Sequence, residues 1–364
     1  MKKIVFLDQY NTSGGGQTIL VNLIYFALDF GFKVEVWIPK GAYFQHVFKD
    51  ESRIQIKEID SPTLNFARKG FINHIYWIIY SFSFLRHLPK LKGADIIYVN
   101  GPRLSLAAII LSIVHPGKYY YHLHLLHTGM EKAIFKLARK MPRTEYLFFG
   151  SEFILERFDS NAKHFKSIIF NGFLSAHFSL LPFVPRFNSL NTTSGSYLNF
   201  MLLARVYEGK GHDLFLKLAA DFPKYKFYII GETVDQHYYK MLKSKATSNV
   251  FFTYSDDVSK LVNGLNINIS IMSSMVEESF GLASIESMAM SCLTIVSDKG
   301  NLPYQAQNTG SWVFSNYEQV KSMIERIETM DDAEINSICH EQYLATKRYY
   351  DFTMAKEQFG KLVH

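Results

Sequence analysis

Two series of short apolar segments, each alternating with helical patterns, flank a stretch that has neither periodicity. That stretch, residues 174–196, contains Pro182 and Pro185 and then Asn-Ser-Leu-Asn-Thr-Thr-Ser-Gly-Ser, the texture of a linker. Before it, residues 4–8, 33–38, 54–59, 95–99, 118–124, 146–151 and 167–170 read as strands. Several are near-continuous apolar runs, which suit a parallel sheet covered on both faces. After it, residues 197–204, 226–230, 249–254, 267–272 and 293–296 repeat the pattern. Strands alternating with helices in this way give doubly wound α/β domains. A chain of 364 residues has room for two.

Within the second series, residues 277–297 carry the densest polar signal. Glu278 and Glu286 stand eight residues apart with Ser279, Phe280, Gly281 and Leu282 following the first of them. Leu282, Ile285 and Ala289 recur at helical spacing, so the helix starts near Gly281. A glycine there keeps side-chain bulk away from a ligand, and the free N–H groups of a helix start can cradle a phosphate. Two carboxylates can accept paired hydrogen bonds from two vicinal diols. The same residues also fit an acidic residue favouring the helix dipole and a solvent-exposed glutamate.

A second signal is Arg205-Val-Tyr-Glu-Gly-Lys210-Gly211, placed between a strand and a helix with Leu214, Leu216 and Leu218. An arginine and a lysine around one loop can clamp a diphosphate. Two exposed surface cations are the plainer reading. In the first series, Gly14, Gly15 and Gly16 follow the first strand. They would let backbone approach a ligand, or they form a tight turn. The loop lacks both Gly-x-Gly-x-x-Gly and Gly-Lys-Ser/Thr, so dinucleotide and P-loop readings have no support. His122, His124 and His127 cluster where the fifth strand ends, the edge at which open α/β sheets bind ligands. No neighbouring Cys or Glu completes a metal set, and no metal is expected.

The segment Glu-Ser-Phe-Gly-Leu-Ala-Ser-Ile-Glu-Ser-Met-Ala-Met-Ser resembles the Glu-x7-Glu motif of the retaining, nucleotide-sugar-dependent glycosyltransferases of family 4. Arg205 to Gly211 resembles that family's Arg-x-x-x-x-Lys-Gly segment, with Ala204 in place of the preceding glycine. Gly231-Glu232 and the triple-glycine loop also match. The resemblance spans nearly the whole chain. It implies the GT-B architecture, two Rossmann-like domains facing across a cleft. The expected boundaries are 1–175 for an acceptor-binding domain, 176–196 for the linker and 197–345 for a nucleotide-sugar domain. Residues 346–364 would carry a helix crossing back to the first domain.

The resemblance further implies transfer of a hexosyl group, with retention, to a hydroxyl of a glycan or lipid-linked acceptor, in cell-surface polysaccharide or glycoconjugate synthesis. His124, Arg205, Lys210 and Glu278 would be catalytic. Gly14, Gly15, Gly16, Gly231, Glu232, Ser279, Phe280, Gly281, Leu282 and Glu286 would bind the donor, with Glu286 on the ribose. A UDP-sugar heads the possible donors, and no cofactor is implied. An inactive GT-B subunit or a GT-B nucleotide-sugar epimerase is the alternative. The family's Gly-Gly-x-Pro-Glu is altered at Asn301 and Tyr304, which puts donor contacts of that loop in question.

Charge is uneven along the chain. Up to Leu180 there are 22 Lys and Arg against 13 Asp and Glu, and afterwards 17 against 20. A basic first half fits an anionic acceptor, an anionic membrane surface, or scattered solvated charge. Residues 71–85 read as a helix apolar on nearly every side, with Arg68, Lys69, Arg86, Lys90 and Lys92 around it. Such a helix is buried or lies in a membrane interface. No apolar run is long enough to span a bilayer, and the short apolar start does not suit a signal peptide. Cys292 and Cys339 lie in apolar context without ligand spacing. A cytoplasmic protein, at or near the inner membrane face, is the expectation.

Overall fold

The computed structural model describes residues 1–8, 14–39, 44–59, 75, 77–79, 81–82, 84–124, 129–158, 166–188 and 198–364, with the Arg103 side chain excepted. The chain divides into two compact units. The first comprises Met1–Gly172 and Ala355–His364, the second Phe173–Met354.

The first unit is built on a seven-stranded sheet in the order β3-β2-β1-β4-β5-β6-β7. The strands are β1 (Lys3–Asp8), β2 (Lys33–Pro39), β3 (Ile54–Ile59), β4 (Ile96–Asn100), β5 (Lys118–Leu123), β6 (Thr144–Phe149) and β7 (Ser167–Ile169). Every pairing is parallel. Because strand side chains alternate between faces, Val5, Leu7, Val99, Tyr121 and Leu123 enter one core with Leu104, Ala108 and Phe135. Strands β1, β2, β4 and β5 are buried on both sides, which is why their sequences lack polar alternation.

The second unit has a six-stranded parallel sheet in the order β10-β9-β8-β11-β12-β13. Its strands are β8 (Asn199–Leu203), β9 (Lys226–Ile230), β10 (Val250–Thr253), β11 (Ile269–Met272), β12 (Leu293–Ser297) and β13 (Trp312–Phe314). Phe200, Leu202, Phe227, Ile229, Ile271 and Ile295 face one core. Met201, Tyr228 and Ile230 face a second, with Ile267 and Cys292. Full burial of one such aliphatic or aromatic side chain is worth roughly 1.5–3 kcal/mol. Strand β13 and the helices Leu302–Thr309, Tyr317–Ile327 and Asp332–Tyr350 add to what the sequence patterns indicated.

The chain passes from the first unit to the second near Gly172 and back near Ala355. These passages are neighbours: the Leu174 N–H donates to the Tyr350 carbonyl (2.9 Å), and the Phe173 and Phe352 rings lie 6.4 Å apart. Asp351 is extended and accepts from the Thr353 N–H, so one helix ends and the next is capped there. The closing helix, Phe352–Val363, puts Phe359 against Phe26 and Tyr98.

Of residues 71–85, the structure describes 75, 77–79, 81–82 and 84–85. Residues 75, 77–79, 81 and 82 are helical, and a 3-10 helix follows at Phe84–Leu91. The faces are unlike: Trp77, Ser81 and Phe84 are buried, whereas Ile75, Ile78, Ile79, Phe82 and Leu85 are exposed. Arg68, Lys69 and residues 71–74, 76, 80 and 83 lie outside the described residues. Among the described residues, no helix is long and apolar enough to cross a membrane.

Candidate functional site

In the second unit the polar residues gather past the carboxyl ends of β8, β9 and β11. After β8 the chain runs through Arg205 and is tied to the loop after β9. The Val206 N–H donates to the Glu232 carbonyl at 2.8 Å, and the Val234 N–H returns to the Val206 carbonyl. Gly231 lies at this junction, and Glu232 is exposed. Gly211 then turns the chain into helix His212–Asp221 with φ of +77°, and a Cβ there would overlap the Ser273 carbonyl. No side chain caps that helix start.

Arg205 and Lys210 converge on one ring. The Arg205 guanidinium lies 5.7 Å from the Tyr207 centroid and Lys210 Nζ lies 5.6 Å from it. Tyr207 escaped the sequence reading, although its place between the two cations was a visible cue.

Lys210 is paired with Glu278. Lys210 Nζ donates to Glu278 Oε1 at 2.5 Å, and both side chains are largely enclosed. Burial alone would depress the ammonium's pKa, but the carboxylate beside it outweighs burial and holds the pKa above the ordinary lysine value. Lys210 therefore stays charged.

Glu278 is fixed by its backbone. It bridges to Gly300, its carbonyl accepts from the Asn301 N–H at 2.8 Å, and Asn301 Nδ2 donates to the Phe280 carbonyl at 3.0 Å. Asn301 is buried. Asn301, one of the two positions that depart from the expected Gly-Gly-x-Pro-Glu, thus clasps the loop carrying Glu278 and Phe280. The Phe280 ring lies 5.6 Å from that of Tyr350. Ser279 is partly exposed beside Glu278.

Gly281 adopts φ of +93° and opens helix Leu282–Ala289, whose start no side chain caps. Leu282, Ile285, Met288 and Ala289 pack inward. Glu286 lies on the same helix. Among the described residues its carboxyl has no hydrogen-bond or ion-pair partner, and burial pushes its pKa up to about 7. A desolvated carboxyl without a partner suits the hydroxyls of a ligand.

In the first unit, Gly14 is extended and precedes helix Gly15–Asp29, again without a side-chain cap. His124 follows β5. Its ring packs on Gly16, where a Cβ would stand 3.3 Å from the imidazole carbons. His124 Nε2 lies 2.7 Å from Asn100 Oδ1. His122 points into the core, where Tyr98 Oη lies 2.7 Å from its Nδ1, and burial drives its pKa well down. His127 lies outside the described residues.

Comparison with known proteins follows this geometry. Residues 192–341 match the family model for glycosyl transferases group 1, a span that includes Arg205, Lys210, Glu278 and Glu286. No curated protein matches. Among solved structures, Anabaena HepE in complex with UDP-glucose superposes with a TM-score of 0.79 at 15% identity, covering 99% of each chain. Sucrose-phosphate synthase of Thermosynechococcus elongatus gives 0.79 at 14% identity, over 100% of this chain and 98% of that one. This chain has the GT-B fold. The lipopolysaccharide outer core galactosyltransferase WaaB is a more distant GT-B neighbour, at a TM-score of 0.65 and 15% identity over 98% of this chain and 100% of that one.

Proposed function

We propose that the protein is a retaining glycosyltransferase that moves a hexosyl group from a nucleotide-diphosphate sugar to a hydroxyl of a glycan or lipid-linked acceptor. The observation that carries this is the pairing of Lys210 with Glu278, one helix turn or more ahead of the unpartnered Glu286. The match of residues 192–341 to the glycosyl transferases group 1 model supports it. UDP and UDP-glucose bound to HepE favour a UDP-sugar as donor.

Each role follows from chemistry. Glu286 accepts from the ribose hydroxyls, which supply the partners its carboxyl lacks. Arg205 and Lys210 hold the diphosphate and stabilise the charge that grows on it as the glycosidic bond breaks. Glu278 accepts from hydroxyls of the sugar. The leaving diphosphate oxygens take the acceptor proton while attack occurs on the same face, giving retention. Gly14, Gly15, Gly16 and His124 stand at the carboxyl edge of the first sheet, where a substrate of an open α/β sheet enters.

The acceptor would lie at an anionic membrane surface. The exposed Ile78, Ile79, Phe82 and Leu85, followed by exposed Arg86, Lys90 and Lys92, support this. A cytoplasmic enzyme at the inner membrane face fits such an acceptor.

The deciding experiment is a thermal-shift panel of nucleoside diphosphates and nucleotide-sugars, followed by hydrolysis of the best donor without acceptor. A ligand at 100 times its Kd adds about 2.7 kcal/mol. Absence of any shift across the panel would overturn the reading.

A further inference from the structure

Tyr207 stands between the two cations of the loop after β8, and the backbone on either side of it is held. Before it, Val206 is buried. The Val206 N–H donates to the Glu232 carbonyl at 2.8 Å, and its carbonyl accepts from the Val234 and Asp235 N–H groups. After it, the Gly209 carbonyl accepts from the Met275 N–H at 2.9 Å, and the Gly211 carbonyl accepts from Ser273 Oγ at 3.0 Å. The loop therefore carries the partly exposed Tyr207 ring on a fixed frame.

That ring is the contact that Arg205 and Lys210 share. The guanidinium carbon lies 5.7 Å from its centroid and the ammonium nitrogen 5.6 Å from it. Both fall within the roughly 6 Å over which a ring's quadrupole attracts a cation. Lys210 has a second partner, Glu278 Oε1, and the two partners differ in kind. A carboxylate neutralises an ammonium, so an arriving anion has to displace it. An aromatic ring attracts a cation without a net charge of its own, and leaves that charge available to an anion. Two long cationic side chains without such a support repel each other and have rotamer freedom to lose when a ligand orders them.

We propose that Tyr207 is a positioning residue of the diphosphate clamp, its ring holding Arg205 and Lys210 in place before the ligand arrives. This role rests on the diphosphate-binding reading of the two cations given above. All the residues involved belong to the second unit.

Calorimetry with UDP as the probe tests it. Tyr207→Leu removes the ring and should weaken UDP binding about tenfold, the combined scale of two partly exposed cation–ring contacts. Tyr207→Phe keeps the ring and should stay within about threefold of the wild type. A general loosening of the loop would cost the same whichever cation is present, so the change to leucine is repeated in two further backgrounds. In Arg205→Ala the ring has one cation left to hold, and Tyr207→Leu should cost only about threefold. In Glu278→Gln, Lys210 has lost its carboxylate and the ring is its remaining partner among the described residues. There Tyr207→Leu should cost more than it does in the wild-type background. Circular dichroism verifies that each variant is folded.

Equal UDP affinity in the wild type and Tyr207→Leu would overturn the proposal and leave the clamp standing. So would a Tyr207→Phe variant as weak as Tyr207→Leu, or a cost of Tyr207→Leu that is the same in all three backgrounds. A wild type that does not bind UDP would bring down the donor reading, and the role of Tyr207 with it.

Discussion

Lys210 Nζ rests on Glu278 Oε1 at 2.5 Å, so two residues with separate expected roles, one for diphosphate and one for sugar, neutralise each other in the unliganded protein. A diphosphate that recruits Lys210 must compete with Glu278. From the roles alone, Glu278→Gln would leave nucleoside diphosphate affinity unchanged. The ion pair changes that expectation. Removing the carboxylate's charge releases Lys210 and removes a repulsion, so Glu278→Gln should bind nucleoside diphosphate several-fold more tightly while turnover drops. Calorimetry paired with donor kinetics checks both. Weaker nucleoside diphosphate binding would refute the competition.

Glu286 should behave in the opposite way. With its ribose partner unmet, Glu286→Gln should cost on the order of 1–3 kcal/mol of nucleoside diphosphate binding. Its effect on stability has a definite sign. The folded carboxyl titrates at about 7 against 4.5 in its ordinary state, so the folded protein holds this proton more tightly. Stability from this group is full below about pH 4.5 and is lost as pH rises through about 7. Glu286→Gln removes that loss, and its melting temperature should exceed that of the wild type at pH 8 but not at pH 4.5. Parallel melting curves across this range would show that Glu286 is not desolvated.

The two cations should be unequal in their structural cost. Arg205→Ala and Lys210→Ala should each lower transfer by roughly 10²-fold or more at saturating donor. Lys210→Ala also leaves Glu278 enclosed without its partner, and should lose on the order of 1–3 kcal/mol of stability. Arg205 is exposed, and Arg205→Ala should melt as the wild type does. Transfer rates and denaturant midpoints, measured on the same samples, separate the two effects.

Membrane contact should depend on both apolar area and salt. Each basic residue near an anionic surface is worth about 1 kcal/mol, and added salt screens it. Sedimentation with anionic vesicles should be strong at low salt, weaken as salt rises, and fall sharply in Ile79→Asp/Phe82→Asp. Equal sedimentation of the double variant would assign the exposed face to something other than lipid.

The anomeric outcome is a further check. Retention predicts an α-linked product from an α-linked donor, visible in the proton spectrum of fresh product. A β-anomer would remove the retaining assignment.

The parallel sheets were legible because strands buried on both faces have no polar alternation to hide them. The segments 4–8, 226–230 and 293–296 stood out as continuous apolar runs, and β1, β9 and β12 cover them. Glu278, Glu286, Arg205 and Lys210 could be singled out as candidates, because their spacing along the chain can be read without a structure. Partnership could not be read. Lys210 meets Glu278 across 68 residues, and Asn100 meets Asp8 across 92. Such pairs exist only once strand order has made β1 and β4 neighbours and brought the β8 and β11 edges together. The two faces of the described residues between 75 and 85 were equally hidden, since apolar residues on every side do not say which side a domain will cover. Sequence thus determined which chemical groups stand at the ends of which strands. The tertiary structure alone decided which charges cancel and which carboxyl is left without a partner, because those depend on distances that chain order does not encode.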